Sequence, residues 1–206
     1  EISPTEAGRS VLMSRSKDGK PNEVCPNEWS IRTRVHEYGG GAFHATEKGF
    51  FGVNQKDQRV YALGDEPKAI TSEGARFADM QFDANGQRLI AVRERHPEDG
   101  SEVINDLVSI AIDDGHIDVL ASGHDFYTSP RLSPDGKSLA WLTWNHPNMP
   151  WDSTTLWVGD FEAGGTLEGV RKIAGGDAES IYQPQWSPDG ILHFVSDRSG
   201  FWNLYR

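Results

Sequence analysis

One phrase recurs along the chain and limits what it can fold into. It runs Ser129-Pro130-Arg131-Leu132-Ser133-Pro134-Asp135-Gly136-Lys137-Ser138-Leu139-Ala140-Trp141-Leu142, and it returns as Gln183-Pro184-Gln185-Trp186-Ser187-Pro188-Asp189-Gly190-Ile191-Leu192-His193-Phe194. A worn copy precedes both, Asp79-Met80-Gln81-Phe82-Asp83-Ala84-Asn85-Gly86-Gln87-Arg88-Leu89-Ile90-Ala91-Val92. Each copy reads as strand, tight Asp-Gly or Asn-Gly turn, and returning strand. The glycine is expected to supply the positive φ that a Cβ would penalise. The turn glycines lie 136 − 86 = 50 and 190 − 136 = 54 residues apart. A repeat of that period with strand patterning is the signature of propeller blades.

The strands read from the sequence fill out this scheme. A segment at 9–16 returns through a turn at Asp18-Gly19 to Val24. Four strands follow at 42–44, 50–54, 58–63 and 68–70, then four at 78–82, 88–94, 107–112 and 117–120. The next set is 128–132, 138–144, 155–161 and 170–173, and the last is 181–186, 191–196 and 202–205. No 3.6-residue periodicity long enough for a helix interrupts them. The expected fold is all-β: a partial β-propeller of four-stranded antiparallel blades. Residues 1–35 read as the outer part of a first blade, 36–71, 72–121 and 122–174 as complete blades, and 175–206 as an incomplete one. A seven-bladed ring at about 50 residues per blade would need roughly 350 residues. The chain's 206 residues are therefore expected to be a fragment of such a ring, cut inside a blade at both ends. Its open sheet edges are then a route to self-association.

Composition removes several function classes. A net charge of −11 disfavours nucleic acid and acidic membrane surfaces as partners. No apolar run approaches the length of a membrane span, and the Glu1-Ile2-Ser3-Pro4 start has no leader character. Cys25 is the single cysteine, which excludes an intrachain disulfide and mildly favours a reducing, cytoplasmic setting. The seven histidines form no His-x-x-x-His frame, so neither a metal nor another cofactor is expected.

Longer motifs are specific enough to carry a resemblance. These are Arg32-Thr33-Arg34-Val35-His36-Glu37-Tyr38-Gly39-Gly40-Gly41-Ala42, the Ser129 to Gly136 phrase, and Trp141-Leu142-Thr143-Trp144-Asn145-His146-Pro147-Asn148-Met149-Pro150-Trp151-Asp152. Trp186-Ser187-Pro188-Asp189-Gly190, His193-Phe194-Val195-Ser196-Asp197-Arg198 and Trp202-Asn203-Leu204-Tyr205-Arg206 continue it. Together they resemble the N-terminal propeller of prolyl oligopeptidase family serine peptidases of the acylaminoacyl-peptidase/dipeptidyl-aminopeptidase type. That resemblance implies a C-terminal α/β-hydrolase domain carrying Ser, Asp and His, with the propeller as lid and size filter for short peptide substrates. This chain has no Gly-x-Ser-x-Gly elbow, so catalytic residues are expected to be absent from it. The Ser-Pro-Asp-Gly phrase taken alone also fits a TolB-like propeller acting as a protein-binding module without enzyme activity.

Blade topology places the loops at 36–41, 72–76, 95–105, 123–127, 145–153, 175–180 and 197–200 on one face, the candidate lid. Two of these hold the substrate-binding candidates His36, Glu37 and Tyr38, and Trp144, His146, Asn148 and Trp151. Glu37 is suited to a peptide ammonium; the alternative, which is favoured, is that His36 and Glu37 bond neighbouring backbone while Gly39 to Gly41 make a tight turn. An anion nest at the glycines is a weaker third reading. The 144–152 loop suits either a substrate pocket or a self-packed cluster pinning the loop to its own blade. Trp141, Trp157, Trp186 and Phe194 alternate with polar neighbours and read as core. Ser133 and Ser187 read as turn-stabilising hydroxyls, and Asp197-Arg198 as a salt bridge or turn.

Overall fold

The computed structural model describes residues 2–17 and 19–206. Four two-residue strands come first: β1 (Ile2–Ser3), β2 (Arg9–Ser10), β3 (Met13–Ser14) and β4 (Asn22–Glu23). The first sheet of four is β5 (Phe43–Thr46), β6 (Gly49–Val53), β7 (Val60–Leu63) and β8 (Lys68–Ala69). The second is β9 (Ala75–Asp83), β10 (Arg88–Arg95), β11 (Ile104–Ala111) and β12 (Ile117–Ala121). The third is β13 (Phe126–Leu132), β14 (Ser138–Trp144), β15 (Thr155–Phe161) and β16 (Leu167–Gly175). Last come β17 (Ile181–Trp186), β18 (Leu192–Ser196) and β19 (Asn203–Tyr205), a sheet of three. Every sheet is an antiparallel meander in chain order, and the first strands β5, β9, β13 and β17 lie side by side. These are propeller blades.

The 9–16 segment departs from expectation. It is not one strand: β2 pairs with β1 and β3 with β4, because the chain changes partner between them. Ser10 C=O accepts the Ile31 N–H (2.8 Å), and Leu12 C=O accepts the Val24 N–H (2.9 Å). Asp18 of the expected turn lies outside the described residues.

Inner strands of a blade stack are buried on both faces, and the sequence shows it as alternation between two cores. On β10, Leu89 and Ala91 join Phe51, Val53, Phe77 and Met80 between the first and second blades. Their neighbours Ile90 and Val92 face the other way, onto Leu139, Trp141 and Tyr127 of the third. β14 repeats the pattern, with Ala140 and Leu142 packing on Ile181 and Phe194 of the fourth. Residues i and i+1 of a strand point to opposite sides, so one strand glues two interfaces. Burying each Leu or Ile there is worth about 1.5–3 kcal/mol. Trp157 and Trp186 are only partly buried. Their indole N–H groups reach Thr143 Oγ1 and the Arg131 carbonyl, each at 2.9 Å, which satisfies the one polar atom of each ring.

The turns separate two jobs that one glycine was expected to do. Gly136 and Gly190 carry positive φ, 69° and 81°. Gly86 does not; Gln87 takes the left-handed conformation at φ 49° instead. Glycine is required at 86 for another reason: a Cβ there would lie 2.9 Å from Asp83 Oδ2 and 2.7 Å from Arg88 Nε, a pair that closes the turn.

A second repeat is hidden inside the first strands. Asp79, Ser129 and Gln183 have φ of 56°, 54° and 50°, each at a register shift in β9, β13 and β17. Their spacings, 129 − 79 = 50 and 183 − 129 = 54, match the turn glycines. These are β-bulges. At the first of them Asp79 accepts hydrogen bonds from the Gly41 N–H (2.6 Å), the Thr128 hydroxyl (2.8 Å) and the Ser129 N–H (3.1 Å). One carboxylate thus joins three blades, and a Cβ on Gly41 would lie 2.9 Å from it.

Candidate functional site

The segment 33–41 leads into β5 through two consecutive left-handed residues, His36 (φ 55°) and Glu37 (φ 66°). Non-glycine residues hold that conformation only when the surroundings fix them. Here the His36 N–H donates to Glu94 Oε2 at 2.6 Å, and Arg76 ties the segment down. Arg76 Nη1 donates to the Arg34 carbonyl (2.9 Å), Glu37 Oε1 (2.5 Å) and Glu94 Oε1 (3.0 Å). Glu94 is 3% exposed, whereas Glu37 is 74% exposed, so the Arg76–Glu94 pair is the stronger tie. The Arg76 hydrogen bond lowers the Glu37 carboxyl pKa from its ordinary value.

Behind this network lies a cavity of about 330 Å³. Its polar side comes from His36, Glu94, His96 and Asn105, and its apolar side from Val103 and Phe126, with His146 and Asp125 at one end. Phe126 stacks on buried Trp144, ring centroids 4.9 Å apart and planes at 9°. His36 meets both rings edge-on, at 5.2 and 5.4 Å. Burial lowers the His36 imidazole pKa, opposed in part by the Glu94 and Asp79 charges. The Asn105 side chain lies near enough to favour the charged imidazole, yet neither His36 Nε2 nor Asn105 Oδ1 has a hydrogen-bond partner in good geometry.

The seven candidates from sequence separate into groups. His36, Glu37 and His146 line the cavity, and Trp144 forms the layer behind Phe126. Tyr38 sits 5.7 Å from the His36 ring but is 63% exposed and outside the lining. Asn148 and Trp151 also lie outside it. Their loop folds on itself through Met149 N–H to Asp152 Oδ2 (2.9 Å), and the Ser180 hydroxyl holds the Pro150 carbonyl at 2.7 Å. Glu94, Asn105, Asp125 and Phe126 were not among the candidates. The loops 95–105 and 123–127 were on the chosen face, but nothing local marks which of their side chains turn inward.

Glu37, Glu94 and His96 bring possible metal-ligand atoms within 4.8 Å of one another. Arg76 already donates to both carboxylates, so a guanidinium supplies the cation in that cluster. Ser133 and Ser187 donate to Asp135 (2.6 Å) and Asp189 (2.5 Å) in their turns. Among the described residues no hydrogen bond joins a serine to an imidazole. Asp197 and Arg198 form the expected turn, closed by the Gly200 N–H on the Asp197 carbonyl (2.8 Å); Arg198 pairs with Glu179 (2.7 Å), and Asp197 Oδ1 accepts the Ser180 N–H (2.8 Å). Burial pushes the Cys25 thiol up to about 11, far from a reactive thiolate. No helix is long and apolar enough to cross a membrane.

No protein-family model matches the chain, and no curated protein sequence does. Solved structures do. A puromycin hydrolase is 33% identical over 100% of this chain, with a TM-score of 0.90. A puromycin-hydrolyzing peptidase from Mycobacterium tuberculosis is 34% identical over 99%, with a TM-score of 0.87. A TolB-like protein from Agrobacterium tumefaciens is 16% identical over 91% of this chain and 61% of its own, at TM-score 0.59, which shows shared fold alone. The chain spans about a third of the two puromycin-hydrolysing proteins, 35% and 34%. Near-complete superposition at one-third identity, on blades with these motifs, places the chain as a β-propeller portion within the prolyl oligopeptidase family.

Proposed function

We propose that this propeller is the non-catalytic portion of a serine peptidase that hydrolyses short peptides. It acts as lid and size filter, and Ser, Asp and His of an α/β-hydrolase domain in the same polypeptide perform the chemistry. One observation carries this reading: the chain aligns end to end with puromycin-hydrolysing proteins while accounting for about a third of their length. The engaged turn serines agree with chemistry located elsewhere. A propeller restricts substrates because its rim and central passage admit only chains thin enough to pass. The TolB-like binding-module reading draws on the lower likeness, at TM-score 0.59.

The full-length protein decides between them. Peptides of two to about ten residues and a folded protein are offered as substrates, with a serine-directed phosphonate as inhibitor. Cleavage of the short peptides only, abolished by the phosphonate, is the expected result. A full-length protein with no hydrolytic activity, or one that cuts the folded protein equally well, overturns the reading.

A further inference from the structure

The cavity beside His36 has one wall built for an aromatic ring and one built for a hydrogen-bond donor. The ring wall is Phe126, held in place by Trp144 stacked behind it and with the His146 ring 4.9 Å away. The polar wall is Asn105, which is 5% exposed. Its Nδ2 donates to the Asp125 carbonyl at 2.8 Å, which fixes the amide orientation and leaves Oδ1 beside the His36 imidazole with no donor in good geometry. A buried acceptor without a donor is a standing cost that a ligand N–H or O–H relieves. At the mouth, Glu102 is exposed, with no ion pair or hydrogen bond among the described residues, next to Val103, 43% exposed. The larger hollow at the opposite rim, about 470 Å³, offers no such opening. Of the two cations that line it, Arg88 is engaged by Asp83, the Gly165 carbonyl and the Phe161 ring, and Lys137 is exposed on its turn.

We propose that the His36 cavity is a subsite for a planar aromatic group carrying an N–H or O–H donor, its ring against Phe126 and its donor on Asn105 Oδ1. A volume of about 330 Å³ takes a phenol or indole with room for the backbone that carries it. The proposal rests on the peptide-hydrolysing reading above and names the substrates that reading leaves open: short peptides presenting tyrosine or tryptophan to the propeller. His36 lends a neutral imidazole edge beside the ring, since burial disfavours its charged form.

The test measures binding rather than turnover. Tyrosinamide, phenylalaninamide and leucinamide are titrated into the full-length protein by calorimetry. Tyrosinamide is expected to bind about tenfold tighter than leucinamide, with phenylalaninamide between them. Asn105→Ala removes the tyrosine-over-phenylalanine step. Phe126→Leu keeps the apolar volume and removes the aromatic preference, which separates lost stacking from lost folding. Equal binding of the three amides, a preference that survives Phe126→Leu, or no binding because another segment of the polypeptide fills the cavity each overturns the subsite. Selective binding without hydrolysis of any peptide sinks the peptidase reading and keeps the subsite; hydrolysis indifferent to aromatic residues does the reverse.

Discussion

The two rims of the propeller solve the same problem in different ways. At the turn rim the serines and aspartates of the Ser-Pro-Asp-Gly turns find partners within their own turn, while Asn85 and Arg88 reach the Asp135 and Gly165 carbonyls of the next blade. The Ser133 hydroxyl donates to Asp135 at 2.6 Å and accepts the Ser138 N–H at 2.9 Å, and Ser187 does the same with Asp189 and Ile191. At the loop rim the partners are distant in sequence: the His36 N–H reaches Glu94, 58 residues away, and Arg76 reaches Glu37, 39 away. That rim also leaves His36 Nε2 and Asn105 Oδ1 unpartnered. Local satisfaction makes a durable closure that any blade can repeat. Satisfaction assembled from several blades is specific to one place, and it is there that unspent hydrogen-bonding capacity collects.

Breaking each rim measures the contrast. Glu94→Ala takes the buried partner from Arg76, which keeps Glu37 and the Arg34 carbonyl, and leaves the His36 N–H without its acceptor; the loss should be about 3 kcal/mol. Urea denaturation followed by tryptophan fluorescence reads it. Asp79→Ala comes next. It frees two backbone N–H groups in two neighbouring blades and should cost about 1–3 kcal/mol for each that stays buried, with early loss of blade-to-blade cooperativity. At the turn rim Ser133→Ala removes two hydrogen bonds inside one turn, where water can reach the exposed Asp135 in the hydroxyl's place, and about 0.5–1.5 kcal/mol is expected on the same assay. A Ser133→Ala loss equal to that of Glu94→Ala would abolish the distinction between the rims.

Acidification sharpens the comparison with the smallest effect. The folded pKa of His36 lies below the unfolded value of about 6.5, so the unfolded state binds protons more readily. Stability therefore falls as pH drops through about 6.5 and continues to fall until the folded pKa is reached. His36→Gln should flatten the upper part of that decline. Asp135 and Asp189 behave in the opposite sense: their own serine hydroxyls lower their pKa values. The stability they contribute is present above the unfolded carboxylate value of about 3.9 and is lost as pH falls through the folded one. Thermal midpoints between pH 7.5 and 3 should show the loop rim titrating first. Identical profiles for wild type and His36→Gln would remove His36 from that account.

Strand alternation, turn positions and the blade repeat were legible in the sequence because each depends on neighbours a few residues apart. The 138–144, 155–161 and 181–186 strands coincide with β14, β15 and β17 for that reason. The role of Gly86 was misread, since a close side-chain approach and a positive φ both select glycine and only coordinates separate them. The bulges at Asp79, Ser129 and Gln183 went unread although they share the repeat's spacing, because three unlike side chains occupy one backbone conformation.

The amino-acid order alone settled that this chain makes radial antiparallel sheets with apolar faces on both sides, since hydrophobic alternation and turn chemistry are short-range. Tertiary structure alone chose which carboxylate joins three blades, which arginine neutralises Glu94, and that Phe126 and Asn105 face one cavity. Those pairings join loops 20 to 58 residues apart, and their energies depend on burial that exists only after the blades have stacked.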